Sequence, residues 1–138
     1  MSELFVLFAL TLLSGGATGL VAATFRIVLT WAGEWRTSLL LAAHHRPVAG
    51  LLLVIAGSAV AASAAAYLVR RLAPHAVGSG IPHVEAVLHG EVRPIDHTLV
   101  PVKFVGGILA IGSGLVLGRE GPSVQMGAAL STSLARLF

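Results

Sequence analysis

Two short stretches carry most of the chemistry legible in this sequence. Gly118-Arg119-Glu120-Gly121-Pro122 sets an adjacent Arg and Glu between uncharged segments, residues 106–117 before it and 123–134 after it. Proline is favoured at the first helical position, so Pro122 predicts a helix starting there. The N–H groups that follow point out of the helix end, where the macrodipole is positive. A carboxylate beside such an end lies in an anion site, and Glu120 either fills that site or swings away and admits another anion. Gly78-Ser79-Gly80-Ile81-Pro82 repeats the arrangement. Its glycines free the backbone, Pro82 opens a short helix ending near Gly90, and Ser79 adds a hydroxyl donor. Backbone N–H groups, a hydroxyl and a helix end hold an anion without a full charge, so the anion can also leave.

Each residue has a plainer reading beside this one. Ser79 caps its helix, or it meets an anion. Glu120 pairs with Arg119 or Lys103, although a carboxylate at membrane depth is a functional hypothesis by default. Arg119 fixes its loop through the guanidinium rather than ligating an anion. Lys103, one turn into an apolar segment, either snorkels to an interface or adds positive potential near the pathway. His83, His89 and His97 share no metal-ligand spacing, so no metal site is expected. The run 112–118 has a glycine pattern faintly like a dinucleotide loop, but no strand precedes it and the third glycine is misplaced.

The elements that position these turns are membrane helices. Of the 138 residues, 56% are hydrophobic and 11% charged, against about a quarter charged in soluble domains; the mean hydropathy is +0.89. The net charge of +3 comes from scattered arginines, not from the clustered basic face that nucleic-acid binding needs. There is no cysteine, which removes disulfides, thiolate catalysis and Cys-based zinc sites. No nucleophile motif appears, and the chain is read as a non-enzyme without a cofactor.

Residues 4–25 predict a first span of about the 20 apolar residues needed to cross a bilayer. Glu3 argues against a cleaved signal peptide, whose start is basic. Ser14-Gly15-Gly16-Ala17-Thr18-Gly19 offers a small-residue face for close helix packing, and Trp31, Trp35 and Arg36 fit an interfacial belt after the span. His44-His45-Arg46-Pro47 ends the connecting loop. Residues 48–69 predict a second span, with Gly50 and Gly57 among its small residues and Arg70-Arg71 closing it. Arg70, Arg71, Arg93 and Lys103 favour the cytoplasmic side, with the N-terminus inside and the first loop outside. Beyond them Pro74, Gly78, Gly80, Pro82, Gly90 and Pro94 interrupt the chain. A short helix is expected over 82–89, and interrupted helices over 98–117 and 122–136. Broken helices at membrane depth are tolerated where protein or a water-filled cavity covers them, which points to a solute pathway.

The two motifs, separated by Leu99-Val100-Pro101-Val102-Lys103-Phe104, closely resemble those of the CLC chloride channels and chloride/proton antiporters. The resemblance is tight over 78–127 and looser back to residue 1. It implies an all-α integral membrane fold, a CLC-type bundle of tilted and broken helices. Residues 1–138 would form the first part of one inverted repeat. It further implies that Ser79 donates its hydroxyl to a central chloride, favouring chloride over nitrate, with Gly78, Gly80, Ile81 and Pro82 forming the turn. Glu120 would be the gate, competing with chloride and picking up a proton in the antiporters. The backbone around Arg119 and Gly121 would line the external site, supported by Gly118, Pro122 and Lys103. Chloride and protons are the implied partners, in a multi-pass protein of the cytoplasmic (inner) membrane that is a homodimer when full length.

The family builds its pore from two inverted halves, and 138 residues fall short of one. The second-half loop, the tyrosine that closes the central site and the internal glutamate of the antiporters have no counterpart; Tyr67 lies in the second span. The expectation is an N-terminal portion that is not a competent pore alone. The alternative is a non-transporting membrane fragment with a structural or regulatory role.

Overall fold

The computed structural model describes residues 2–44, 47–92 and 98–136. His45, Arg46, Arg93, Pro94 and His97, which entered the loop, orientation, breaker and metal readings, lie outside the described residues. Within them the chain forms five α-helices and one 3-10 turn, with no strand: α1 Ser2–Ala43, α2 Pro47–Leu72, the turn Pro74–Ala76, α3 Ile81–Leu88, α4 Leu99–Gly112 and α5 Glu120–Ala135.

The first helix does not stop near Phe25, as the 4–25 span predicts, but runs on to Ala43. No proline interrupts this stretch, and Arg26, which ends the apolar run, is a good helix former. Hydroxyls add bonds to the preceding turn, from Thr24 to the Leu20 carbonyl (2.8 Å), Thr30 to Arg26 (3.0 Å) and Thr37 to Gly33 (2.9 Å). A helix of 42 residues is about 63 Å long. That is about twice the hydrocarbon thickness and more than ordinary tilts absorb, so part of α1 projects beyond the apolar layer. Trp31 and Trp35 are exposed on this helix rather than on a loop after it. Both α1 and α2 are long and apolar enough to cross a membrane.

The second helix, expected over 48–69, extends to Leu72, with Pro47 at its first position. Arg70 and Arg71 occupy its last turn, where cations suit the helix dipole. The Arg71 guanidinium also stacks 5.7 Å from the centre of the Tyr67 ring. Gly50 lets α2 approach the α1 end, since a side chain there would overlap the Ala43 carbonyl. At Gly57 there is open space.

The short helices depart from expectation at their ends. The third begins at Ile81 rather than Pro82 and closes at Leu88. The fourth ends at Gly112, five residues before the 98–117 segment does, because Gly114 turns the chain with φ +107°. Residues 115–118 are then irregular up to α5. The fifth helix starts at Glu120, placing Pro122 at its third position instead of its first. Proline loses nothing there, because the first four N–H groups of a helix have no internal partner.

Helix α5 is the centre of the assembly, packed against α1, α3 and α4. One buried cluster joins Ala73, Ala76, Leu99, Val102 and Ala129; a second joins Phe25, Leu29 and Met126. The Phe25 and Phe104 rings meet at 5.4 Å, tilted by 57°. Close fit between small residues and rings supplies the attraction among helices in an apolar solvent. Gly127 accepts the Thr18 methyl and Gly107 the edge of the Phe25 ring.

Candidate anion site

The two motif turns lie against each other. A side chain at Gly121 would overlap the Ser79 carbonyl oxygen and stand 3.0 Å from the Ser79 Cα. Only a glycine at the second position of α5 allows this approach. The start of α5 therefore abuts the residue just ahead of α3.

Both helix starts keep their donors. In α3 the first internal bond runs from the Val84 N–H to the Gly80 carbonyl (3.1 Å), so the Ile81 and His83 N–H groups have no helical acceptor. Pro82 carries none. Gly80 is the N-cap, in the left-handed region with φ +79°, and no side chain caps the helix. Ser79 is thus not the cap that the plainer reading makes it. It stands exposed just ahead of the helix. In α5 the first internal bond runs from Ser123 N–H to the Arg119 carbonyl (3.4 Å), which also accepts the Ser123 hydroxyl (3.0 Å). The Glu120 and Gly121 N–H groups precede it. Glu120 is exposed in the first turn, a favourable place for a carboxylate.

Lys103 neither snorkels nor pairs with Glu120. It is 5% exposed, and its Nζ donates to the carbonyls of Ala76 and Gly78, each at 2.7 Å. A buried ammonium thus clamps the backbone immediately before Ser79. Arg119 is the N-cap of α5, with its side chain exposed. Gly118 has no close neighbour, Ile81 and Pro82 are exposed, and Pro122 is buried.

One residue of this region escaped the sequence reading. Gln125 is fully buried and donates Nε2 to the His75 carbonyl at 2.9 Å. The same amide lies 3.3 Å from His83 Nδ1, and the His75 and His83 rings are 5.6 Å apart. The signal was present: Gln125 is the single glutamine of a chain without asparagine. Among the described residues no group of three His, Asp or Glu side chains is placed to hold a metal ion.

Two helix starts thus abut, with a hydroxyl and a carboxylate beside them, in an all-helical bundle whose α1 and α2 are long and apolar enough to cross a membrane. A family model described as voltage gated chloride channel matches residues 59–138. The chain belongs to that family, the CLC chloride channels and exchangers. It is 42% identical over 134 residues to the H(+)/Cl(-) exchange transporter ClcA of Vibrio vulnificus strain YJ016, covering 96% of this chain and 28% of that protein. The ClcA proteins of Citrobacter koseri (40% over 125 residues, 90% of this chain and 26% of the relative) and Cronobacter sakazakii (41% over 127, 91% and 27%) are similar to it to the same degree. The chain thus spans little more than a quarter of the length of these curated relatives.

Proposed function

We propose that this chain supplies one wall of a chloride pathway, in which the Ser79 hydroxyl and the free N–H groups of the α3 and α5 starts hold chloride. Glu120 gates it, its carboxylate competing with chloride for the α5 end. The reading rests above all on the contact between Gly121 and Ser79. That contact brings two positive helix ends together, and neither the backbone N–H groups nor the Ser79 hydroxyl carries a full charge, so binding stays reversible. The proton/chloride exchange named for the relatives is proposed for the whole protein, with Glu120 as the group that takes up the proton. The whole protein is proposed to be a homodimer in the cytoplasmic membrane, crossing it several times. No step is covalent and none calls for a cofactor.

The test is chloride binding by the purified chain in detergent micelles, read from 35Cl NMR line broadening. Ser79→Ala is expected to weaken broadening about tenfold, the scale of one hydrogen bond to a charged group. Glu120→Ala is expected to strengthen it by freeing the α5 end. Chloride efflux from liposomes holding the 138-residue chain is expected to be absent with and without Glu120→Ala, and efflux that depends on Glu120 would show that the chain assembles a pathway by itself. Broadening unchanged by either substitution would sink the reading.

A further inference from the structure

We propose that Gln125 is a positioning residue of the anion site: its buried amide ties the segment on either side of Ser79 to α5 and so sets how closely the site fits its ion. The inference rests on the chloride reading above and deepens it.

Three contacts of one side chain carry it. The His75 carbonyl can only accept, so the amide nitrogen of Gln125 must face it, at 2.9 Å. The second N–H of the same nitrogen then faces His83 Nδ1 at 3.3 Å, which accepts, leaving the His83 proton on Nε2. The rest of the side chain rests on Gly80, where an added Cβ would overlap Gln125 Cδ and Oε1. His75 lies in the 3-10 turn before Ser79, Gly80 follows Ser79 directly, and His83 is in the first turn of α3. Gln125 therefore grips the Ser79 segment at both ends from α5, the helix that also carries Glu120 and Gly121. Lys103 holds the intervening carbonyls of Ala76 and Gly78 from α4.

The remaining amide oxygen shows that apolar packing alone does not explain this residue. Gln125 Oε1 is buried with no hydrogen-bond partner among the described residues. Leaving a buried polar atom unmatched is unfavourable, whereas a methionine of similar volume would fill the same space without that burden. What its nitrogen does for the turn accounts for an amide at this position.

A loosened turn would fit a small ion less closely and penalise a larger one less. Chloride against iodide thus separates positioning from general weakening, because simple destabilisation lowers both alike. The experiment uses the 138-residue chain in micelles with Gln125→Met, and Gln125→Glu, which keeps the shape but loses the Nε2 donors, as the second variant. Helical circular dichroism and gel filtration establish folding. Amide hydrogen exchange in the peptide 76–88 is expected to speed up at least fivefold, with 48–72 unchanged. 35Cl broadening is expected to fall about tenfold, and the chloride/iodide affinity ratio at least fivefold. In a Ser79→Ala background, Gln125→Met should lower the ratio no further, the mark of two residues acting through one site.

Exchange in 76–88 at the wild-type rate in both variants would overturn the proposal. So would faster exchange spread over every helix, or local loosening with an unchanged chloride/iodide ratio. Broadening indifferent to Ser79→Ala in otherwise unaltered protein would instead sink the chloride reading, and the exchange data would then decide alone whether Gln125 holds the turn.

Discussion

Gly121 touches the backbone of Ser79, and no side chain fits between them. The start of α5 and the turn before α3 are set by this one contact. Gly121→Ala puts a methyl on the Ser79 carbonyl, and the neighbour is backbone, which cannot rotate aside. Overpacking of this kind costs about 1–3 kcal/mol. The expected result is a lower melting temperature in micelles together with chloride broadening reduced to the level of Ser79→Ala. Wild-type binding by a folded Gly121→Ala chain would show that the two turns move independently.

Lys103 satisfies two backbone carbonyls, Ala76 and Gly78, from inside the bundle. Lys103→Met keeps the stem and removes the donor, leaving both acceptors unmatched at about 1–3 kcal/mol apiece. Faster amide exchange at 74–80 and a fall in thermal stability are expected. Chloride binding should weaken as well, since the turn loosens and a positive charge is lost. Unchanged exchange would mean that the carbonyls find other donors.

The helix glycines divide into two kinds. Gly15, Gly16 and Gly19, the glycines of the small-residue face over 14–19, have open space where a side chain would go. The close contact of that face is made by Thr18, whose methyl would stand 2.7 Å from a Cβ on Gly127. Gly19→Ala is therefore expected to be neutral or to stabilise by up to about 1 kcal/mol, the ordinary helix preference of alanine. Gly127→Ala is expected to destabilise, and Thr18→Ser, which deletes the facing methyl, to restore part of the loss. Thermal melts of the four proteins check this.

What was legible in the sequence was local. Glycine, proline, serine and glutamate at fixed offsets mark both turns, because backbone freedom and donor chemistry depend on neighbouring residues alone. Arg26 closes the apolar run, yet α1 continues to Ala43: hydropathy marks where a span can end, not where a helix does, and no proline stops the helix before residue 47. The start of α5 shifted by two residues because proline is tolerated anywhere among the first four N–H positions. The meeting of Gly121 with Ser79, the clamp of Lys103 and the reach of Gln125 to His75 join residues far apart in the chain. No periodicity encodes them.

Gly78 and Gly80 share a left-handed backbone, with φ of +75° and +79°, yet differ in surroundings. An alanine at either position pays the left-handed strain of about 1–2 kcal/mol. At Gly78 nothing lies within 4 Å of the added methyl, whereas at Gly80 it meets the Gln125 amide. Gly80→Ala is therefore expected to be the more destabilising by at least about 1 kcal/mol, the lower bound for a forced repacking. Shortening the facing residue with Gln125→Ala should erase that excess and bring the Gly80→Ala penalty down to that of Gly78→Ala. Chemical denaturation of the two single variants, each measured again with Gln125→Ala, gives the comparison. An excess that survives Gln125→Ala would place its cause in the backbone of the α3 cap rather than in the side chain packed on it.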